Sequence, residues 1–197
     1  NREQRLAQAQ IAHQATHDSL TGLFNRAAVM EHISNRLRDR DTEAALGGFA
    51  VLLLDLDGFK EVNDSMGHDA GDKLLSEGGW RMKMALRESD YLARLGGDEF
   101  LVIVPQVSDE TTAEQVAQKL IKVLSEPYSI SLGPGSASGI ARVTASVGIS
   151  MYPRDGEDRE LLMKHADVAL YAAKNGGRNQ LCFYAPAMQG RFPVAPK

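Results

Sequence analysis

Residues 93–104 read ARLGGDEFLVIV, two glycines and two acids set directly ahead of an apolar, β-branched run. Gly96 and Gly97 mark a tight turn, and Phe100 to Val104 read as a strand, so the stretch predicts a β-hairpin with Tyr91 to Leu95 as its other arm. A turn needs glycine, but it does not need Asp98 followed by Glu99. Two adjacent carboxylates at the start of a buried strand call for positive charge. The local sequence supplies no fixed cation there, which makes a metal ion the expected counter-charge.

Upstream, FAVLLLDLD (residues 49–57) follows a Gly-Gly break and reads as a strand buried on both faces. Alternation along it places Asp55 and Asp57 on one face. Should this strand lie beside the hairpin, carboxylates from two elements meet at one end of the sheet. Hard cations such as Mg²⁺ favour carboxylate and carbonyl oxygen, and two of them can activate a hydroxyl and hold a phosphate in line. Each acid pair alone reads equally well as the start of a helix or a solvated turn. Two pairs, each at the end of an apolar strand, favour a metal.

The remaining chain alternates helices and strands. An opening helix (residues 1–16) precedes a helix capped by Asn25 with Ala28, Val29, Ile33 and Leu37 on one face. A short helix and turn after Asp57 lead into a longer helix over about residues 70–86. TTAEQVAQKLIKVLSEP predicts an amphipathic helix with Thr111 or Thr112 near its cap. Val143, Ala145, Val147 and Ile149 alternate as in a half-buried strand, and DRELLMKHADVALYAAKNGGRN is a last helix ended by Gly176 and Gly177. QLCFY closes the fold as a short strand. SISLGPGSASG (residues 129–139) reads as a mobile hairpin loop. The order predicts an α+β fold, a central and mostly antiparallel sheet ringed by helices.

Composition narrows the functions. The 197 residues carry a net charge of −4, with 43% hydrophobic and 24% charged residues, so a nucleic-acid partner with its basic footprint is not expected. Cys182 is the single cysteine, which excludes an intrachain disulfide and fits a reducing compartment. No apolar run reaches the ~18–20 residues of a membrane span. The first residue is Asn1 rather than methionine, so the chain is expected to be part of a longer protein.

Other side chains could hold a phosphorylated ligand. Lys60 stands at a helix start, where free N–H groups attract anions. Lys174 and Arg178 flank the last Gly-Gly, although cations at a helix C-terminus also simply offset its dipole. In NDSMGHDAGD, Asn63, His68 and Asp72 offer an amide, an imidazole and a carboxylate around a glycine turn. Asn and Asp can read the donor-rich edge of guanine, and they are equally common in ordinary turns.

Four motifs in order resemble the GGDEF family of diguanylate cyclases: HDSLTGLFNR (17–26), DLDGFKEVNDSMGHDAGD (55–72), RLGGDEF (94–100) and ALYAAKNGGRN (169–179). The resemblance extends over about His17 to Tyr184. It implies a palm-like sheet of the nucleotide-cyclase and polymerase type, with a ferredoxin-like core. It further implies condensation of two GTP into cyclic di-GMP and two pyrophosphates by a pair of domains facing each other. By that resemblance Asp55, the Leu56 carbonyl, Asp98 and Glu99 are metal ligands for two Mg²⁺ per active site, with Mn²⁺ able to substitute. Asp98 also accepts the 3′-hydroxyl proton, Lys60 stabilises charge on the phosphates, Asn63 and Asp72 read guanine with His68 nearby, and Lys174 and Arg178 grip phosphates. Arg87 and Asp90 in RESD fit the family's RxxD site for inhibition by its product.

The resemblance also implies a division into a connecting helix (1–16), a catalytic domain (17–185) and an exit linker (186–197), within a cytoplasmic region of a protein that can itself be membrane-anchored. It makes a homodimer the active form. FYAPAMQGR resembles the junction into an EAL-type phosphodiesterase domain, and a sensor is expected upstream. This leaves a second reading, a non-catalytic GTP- or cyclic di-GMP-binding module that controls such a phosphodiesterase. An adenylyl-type cyclase is disfavoured by Asp72, whose carboxylate suits guanine. Gly58 departs from the bulkier residue many relatives carry, and the 129–139 loop is longer than usual.

Overall fold

The computed structural model describes residues 2–39, 47–131, 133–135 and 138–191. The remainder of the sequence-predicted exit linker, 192–197, and part of the 129–139 loop lie outside the described residues. Helices α1 (Arg2–Thr16) and α2 (Arg26–Arg38) lead into strand β1 (Phe49–Asp57). Helices α3 (Phe59–Met66) and α4 (His68–Ala85) follow, then the hairpin β2 (Tyr91–Gly96) and β3 (Glu99–Val104). Next come α5 (Glu110–Ser125), a small hairpin β4 (Tyr128–Ser131) and β5 (Ser138–Ala141), strand β6 (Thr144–Tyr152), α6 (Arg159–Asn175) and β7 (Leu181–Phe183).

Five strands form one sheet in the order β2-β3-β1-β6-β7, antiparallel except for the parallel β6–β7 pair, and β4 and β5 form a separate two-stranded sheet. The fold expectation is met: an α+β sheet, mostly antiparallel and ringed by helices. Strand β1 lies in the middle, and its alternation sorts two cores. Ala50, Leu52, Leu54 and Leu56 face Leu74, Leu75 and Met82 of α4 and Ala117, Leu120 and Leu124 of α5. Phe49, Val51 and Leu53 face Val29 and Ile33 of α2 and Leu162, Ala166 and Leu170 of α6. Burying each such aliphatic side chain contributes roughly 1.5–3 kcal/mol, so the register of β1 is strongly specified.

Two sequence expectations are corrected. Strand β6 is buried along both faces, not half-buried. Its alternate positions Ser146, Gly148 and Ser150 are small because α6 packs directly on them, and a Cβ at Gly148 would fall 2.2 Å from the Ala166 carbonyl oxygen. Thr111 stands near the cap of α5 as expected, donating its N–H to the capping residue Asp109. The predicted 129–139 loop is partly strand, because Ser129 to Ser131 pair with Ser138 to Ile140. Asn25 caps α2 as expected, accepting from the Ala28 N–H.

Candidate active site

The β2–β3 turn is held by its own backbone and by one arginine. Gly96 and Gly97 have φ of 137° and 50°, a region that favours glycine, and a Cβ at either would meet nothing within 4 Å. The glycines therefore serve the turn and leave open space beside it. Arg94 donates from Nε and Nη2 to the Gly97 carbonyl at 3.0 and 2.8 Å, and from Nη1 to Asp18 at 3.1 Å. The HDSLTGLFNR segment thus anchors the turn from outside the hairpin, with Thr21 also donating to the Asp18 carboxylate. Burial works against ionised Asp18, yet the Thr21 hydrogen bonds and the Arg94 charge outweigh it and lower its pKa.

Asp98 leaves this turn toward the end of β1. Its backbone carbonyl accepts from the Leu56 N–H at 3.3 Å, and the register of β1 and β3 sets Asp55 opposite Glu99. Burial, and then the Asp55 carboxylate close enough to share a proton with it, hold Asp98 well above the ordinary carboxylate range. Glu99 is raised by burial and by Asp55 as well, while the charges of Arg26 and Lys174 oppose that rise. When Asp55 and Asp98 are both ionised neither can donate to the other, and Asp55 Oδ1 is buried with no donor at all. Oxygen-rich and charge-dense, with one carboxylate oxygen left unpaired, this corner fits a hard divalent cation.

Among the described residues no three acidic, His or Cys side chains stand close enough together to hold an ion unaided. Mg²⁺ commonly takes one or two carboxylates and completes its shell with phosphate oxygens and water, so two converging carboxylates suffice. Within this chain, however, Asp55 does have a cation. Lys174, from the last turn of α6, donates to Asp55 Oδ2. The expectation of no fixed positive charge here is therefore corrected. Lys174 lies 119 residues from Asp55 along the chain, so no local pattern could bring them together.

Asp57 shares a face with Asp55, as alternation predicts, but it does not join the acidic corner. It accepts from the Thr144 and Ser146 hydroxyls at 2.8 Å and from the Asn179 N–H at 3.1 Å. Its charge ties the segment after α6 to β6. Arg178 stands in that segment at φ 63°, exposed and beyond the helix end, so it is not on the helix face with Lys174.

The other predicted residues lie around α3 and α4. Lys60 is exposed in the first turn of α3, behind Gly58, whose φ of 82° suits glycine at the departure from β1. His68 and Asp72 are exposed in the first two turns of α4. Both line a cleft of about 700 Å³, with Met66, Gly67, Lys73 and Ser131 among its other walls. Asn63, half-buried on α3, turns its amide oxygen inward, where it has no hydrogen-bond partner. Arg87 and Asp90 form a small turn ahead of β2, in which Asp90 accepts from the Arg87 N–H at 2.9 Å and the Arg87 side chain is exposed. Arg26 and Asp167, whose charges act on Glu99, escaped the sequence reading, although Arg26 ends one of the quoted motifs.

A mostly antiparallel sheet with carboxylates meeting beyond the ends of two adjacent strands defines a palm-type domain. The chain matches the family described as diguanylate cyclase, GGDEF domain, over residues 15–180, and it belongs to that family. It is 41% identical over 184 residues to the bifunctional diguanylate cyclase/cyclic di-GMP phosphodiesterase MucR of Pseudomonas aeruginosa, covering 92% of this chain and 25% of that protein. It is 42% identical over 184 residues to the cyclic di-GMP phosphodiesterase NbdA of the same organism, covering 91% of this chain and 22% of that protein. A solved structure of the isolated GGDEF domain of TpbB (YfiN) from Pseudomonas aeruginosa superposes with a TM-score of 0.79 at 36% identity, covering 87% of this chain and 96% of that one. The chain thus spans about a quarter of the length of the curated relatives MucR and NbdA. Among the described residues no helix is long and apolar enough to cross a membrane.

Proposed function

We propose that this domain is an active diguanylate cyclase that condenses two GTP into cyclic di-GMP and two pyrophosphates. The observation that carries the reading is the approach of the Asp55 and Asp98 carboxylates at the ends of β1 and β3. Asp55, the Leu56 carbonyl, Asp98 and Glu99 would hold two Mg²⁺. Bound there, Mg²⁺ supplies charge neutralisation on the α-phosphate and favours in-line displacement. Asp98 accepts the proton of the attacking 3′-hydroxyl. The O3′–Pα bond forms as the bond from Pα to the pyrophosphate oxygen breaks.

Lys60 offsets charge on the transferring phosphate, and Lys174 exchanges Asp55 for phosphate oxygens, assisted by Arg178. Asn63 and Asp72 read the base, with His68 beside the nucleotide. One domain holds one GTP, so two copies must face each other for each 3′-hydroxyl to reach the other nucleotide. Incubation with GTP and Mg²⁺ followed by chromatography should show cyclic di-GMP, at a specific activity that rises with protein concentration. Absence of product at every concentration would remove the catalytic reading. Product binding at Arg87 and Asp90 would restrain the enzyme, because that turn leads straight into β2 and the catalytic hairpin.

A second reading has one specific support: NbdA, which this chain resembles along most of its length, is named as a phosphodiesterase alone. A domain that binds GTP or cyclic di-GMP and controls an attached EAL-type phosphodiesterase would bind nucleotide without making product. An upstream sensor and a downstream EAL-type domain belong to either reading.

A further inference from the structure

Gly71 is buried on α4, and a Cβ built on it would fall 1.8 Å from Asn63 Oδ1 and 2.9 Å from Asn63 Cγ. Its φ is helical, so backbone conformation does not demand glycine there. Glycine inside a helix is unfavourable relative to alanine, so the position is expected to be occupied by alanine unless something forbids the methyl group. What a methyl group would have to displace is the amide at the end of the Asn63 side chain, whose oxygen is buried and unpaired. Helices α3 and α4 meet at Gly67, whose N–H donates to the Asn63 carbonyl and whose carbonyl accepts from Gly71, so one short turn fixes both residues relative to each other.

We infer that Gly71 is a positioning residue for nucleotide recognition: the missing side chain is the slot into which the Asn63 amide oxygen folds. The planar amide then presents its NH₂ end on the opposite side, away from α4. Filling the slot would rotate the amide out by more than a hydrogen bond tolerates. Phe59 Cζ lies 3.2 Å from the same virtual Cβ, a contact a ring can relieve by a few tenths of an ångström, so the clash is specific to Asn63. The inference rests on the reading of Asn63 as a base-binding residue.

The test is a double-mutant cycle read by direct binding. The probes are guanosine 5′-[α,β-methylene]triphosphate with Mg²⁺, and Mg²⁺ tripolyphosphate, which has no base. Gly71→Ala should weaken the nucleotide at least about tenfold and leave tripolyphosphate within about twofold. In an Asn63→Ala background the same change should cost less than about twofold, and it should raise the melting temperature, since the helix then gains an alanine without a clash. Equal losses in both backgrounds, or an equal loss for tripolyphosphate, would overturn the positioning role while leaving Asn63 a binding residue. If Asn63→Ala itself leaves nucleotide affinity unchanged, the base-binding reading fails and the inference goes with it. If Gly71→Ala does not fold, refolding by added Asn63→Ala supports the slot, and continued failure to fold refutes it.

Discussion

Asp55 and Asp98 carry like charges into a half-buried corner, and strand pairing rather than attraction brings them together. Such a pair persists because the backbone register of β1 and β3 is fixed by apolar side chains that cannot be buried any other way. The arrangement costs stability in the absence of a cation and becomes favourable when one is bound. Two outcomes follow at this scale. Asp98→Asn should lower cyclic di-GMP formation by roughly 10²–10⁴-fold, as loss of a proton acceptor does, measured as product per unit time. The same variant should melt no lower than the wild type without metal, because it removes half of a repelling pair. A large drop in melting temperature would mean that Asp98 is structural. The acids and their shared face were legible in the sequence, since alternation along a strand is a strict rule. Lys174 on Asp55, and the hydroxyls of Thr144 and Ser146 on Asp57, were not, because they depend on elements folding together across the sheet.

At the scale of elements, the packing of α2 against β2 sets a dependence on pH. His32 stacks on Tyr91 at 4.0 Å between ring centroids, and burial, with Arg36 nearby, pushes the imidazole down to about 4. Its ordinary value is about 6.5, so between those limits the unfolded chain binds a proton that the folded chain refuses. The contribution of His32 to stability is therefore full above about pH 6.5, falls as the pH drops through the window, and is lost as the pH nears 4. Because the raised carboxylates of Asp98 and Glu99 act in the opposite sense, the fall is read as a difference: against His32→Phe, which keeps the stack, the wild type should lose melting temperature as the pH drops from 7 to 4. An unchanged profile in that variant would assign the dependence to other groups. A second element-scale outcome concerns β6: Gly148→Ala places a methyl against the backbone of α6 and should destabilise the fold by about 1–3 kcal/mol in denaturant unfolding. The alternation of Val143, Ala145, Val147 and Ile149 predicts a half-buried strand, with Ser146, Gly148 and Ser150 on the other face. Those three are instead small residues admitting a helix. Polarity and small size are the same letters in a sequence, and only the neighbour decides between them.

For the whole molecule, the antiparallel character of the sheet was readable from the hairpin and from the order of helices and strands, while the parallel entry of β7 beside β6 was not. A three-residue strand has too little pattern to reveal its partner. The turn at Arg87 and Asp90 lies one step from β2, and that strand ends at the Gly96–Gly97 turn. If product binding there holds two copies in an unproductive arrangement, Arg87→Ala should raise the concentration of cyclic di-GMP needed for half inhibition by at least about tenfold, with the initial rate unchanged. Inhibition curves that coincide with the wild type would place the inhibitory site elsewhere. The fold and the acidic corner are what two faces of one strand dictate, and the function proposed here follows from the oxygen atoms that corner assembles. Its most direct test is the binding of Mn²⁺, followed by electron paramagnetic resonance in the presence of a non-reacting GTP analogue. The wild type should bind Mn²⁺ with the nucleotide, and Asp55→Asn and Asp98→Asn should each weaken it by at least about tenfold; wild-type affinity in either variant would contradict a cation shared between these two strands.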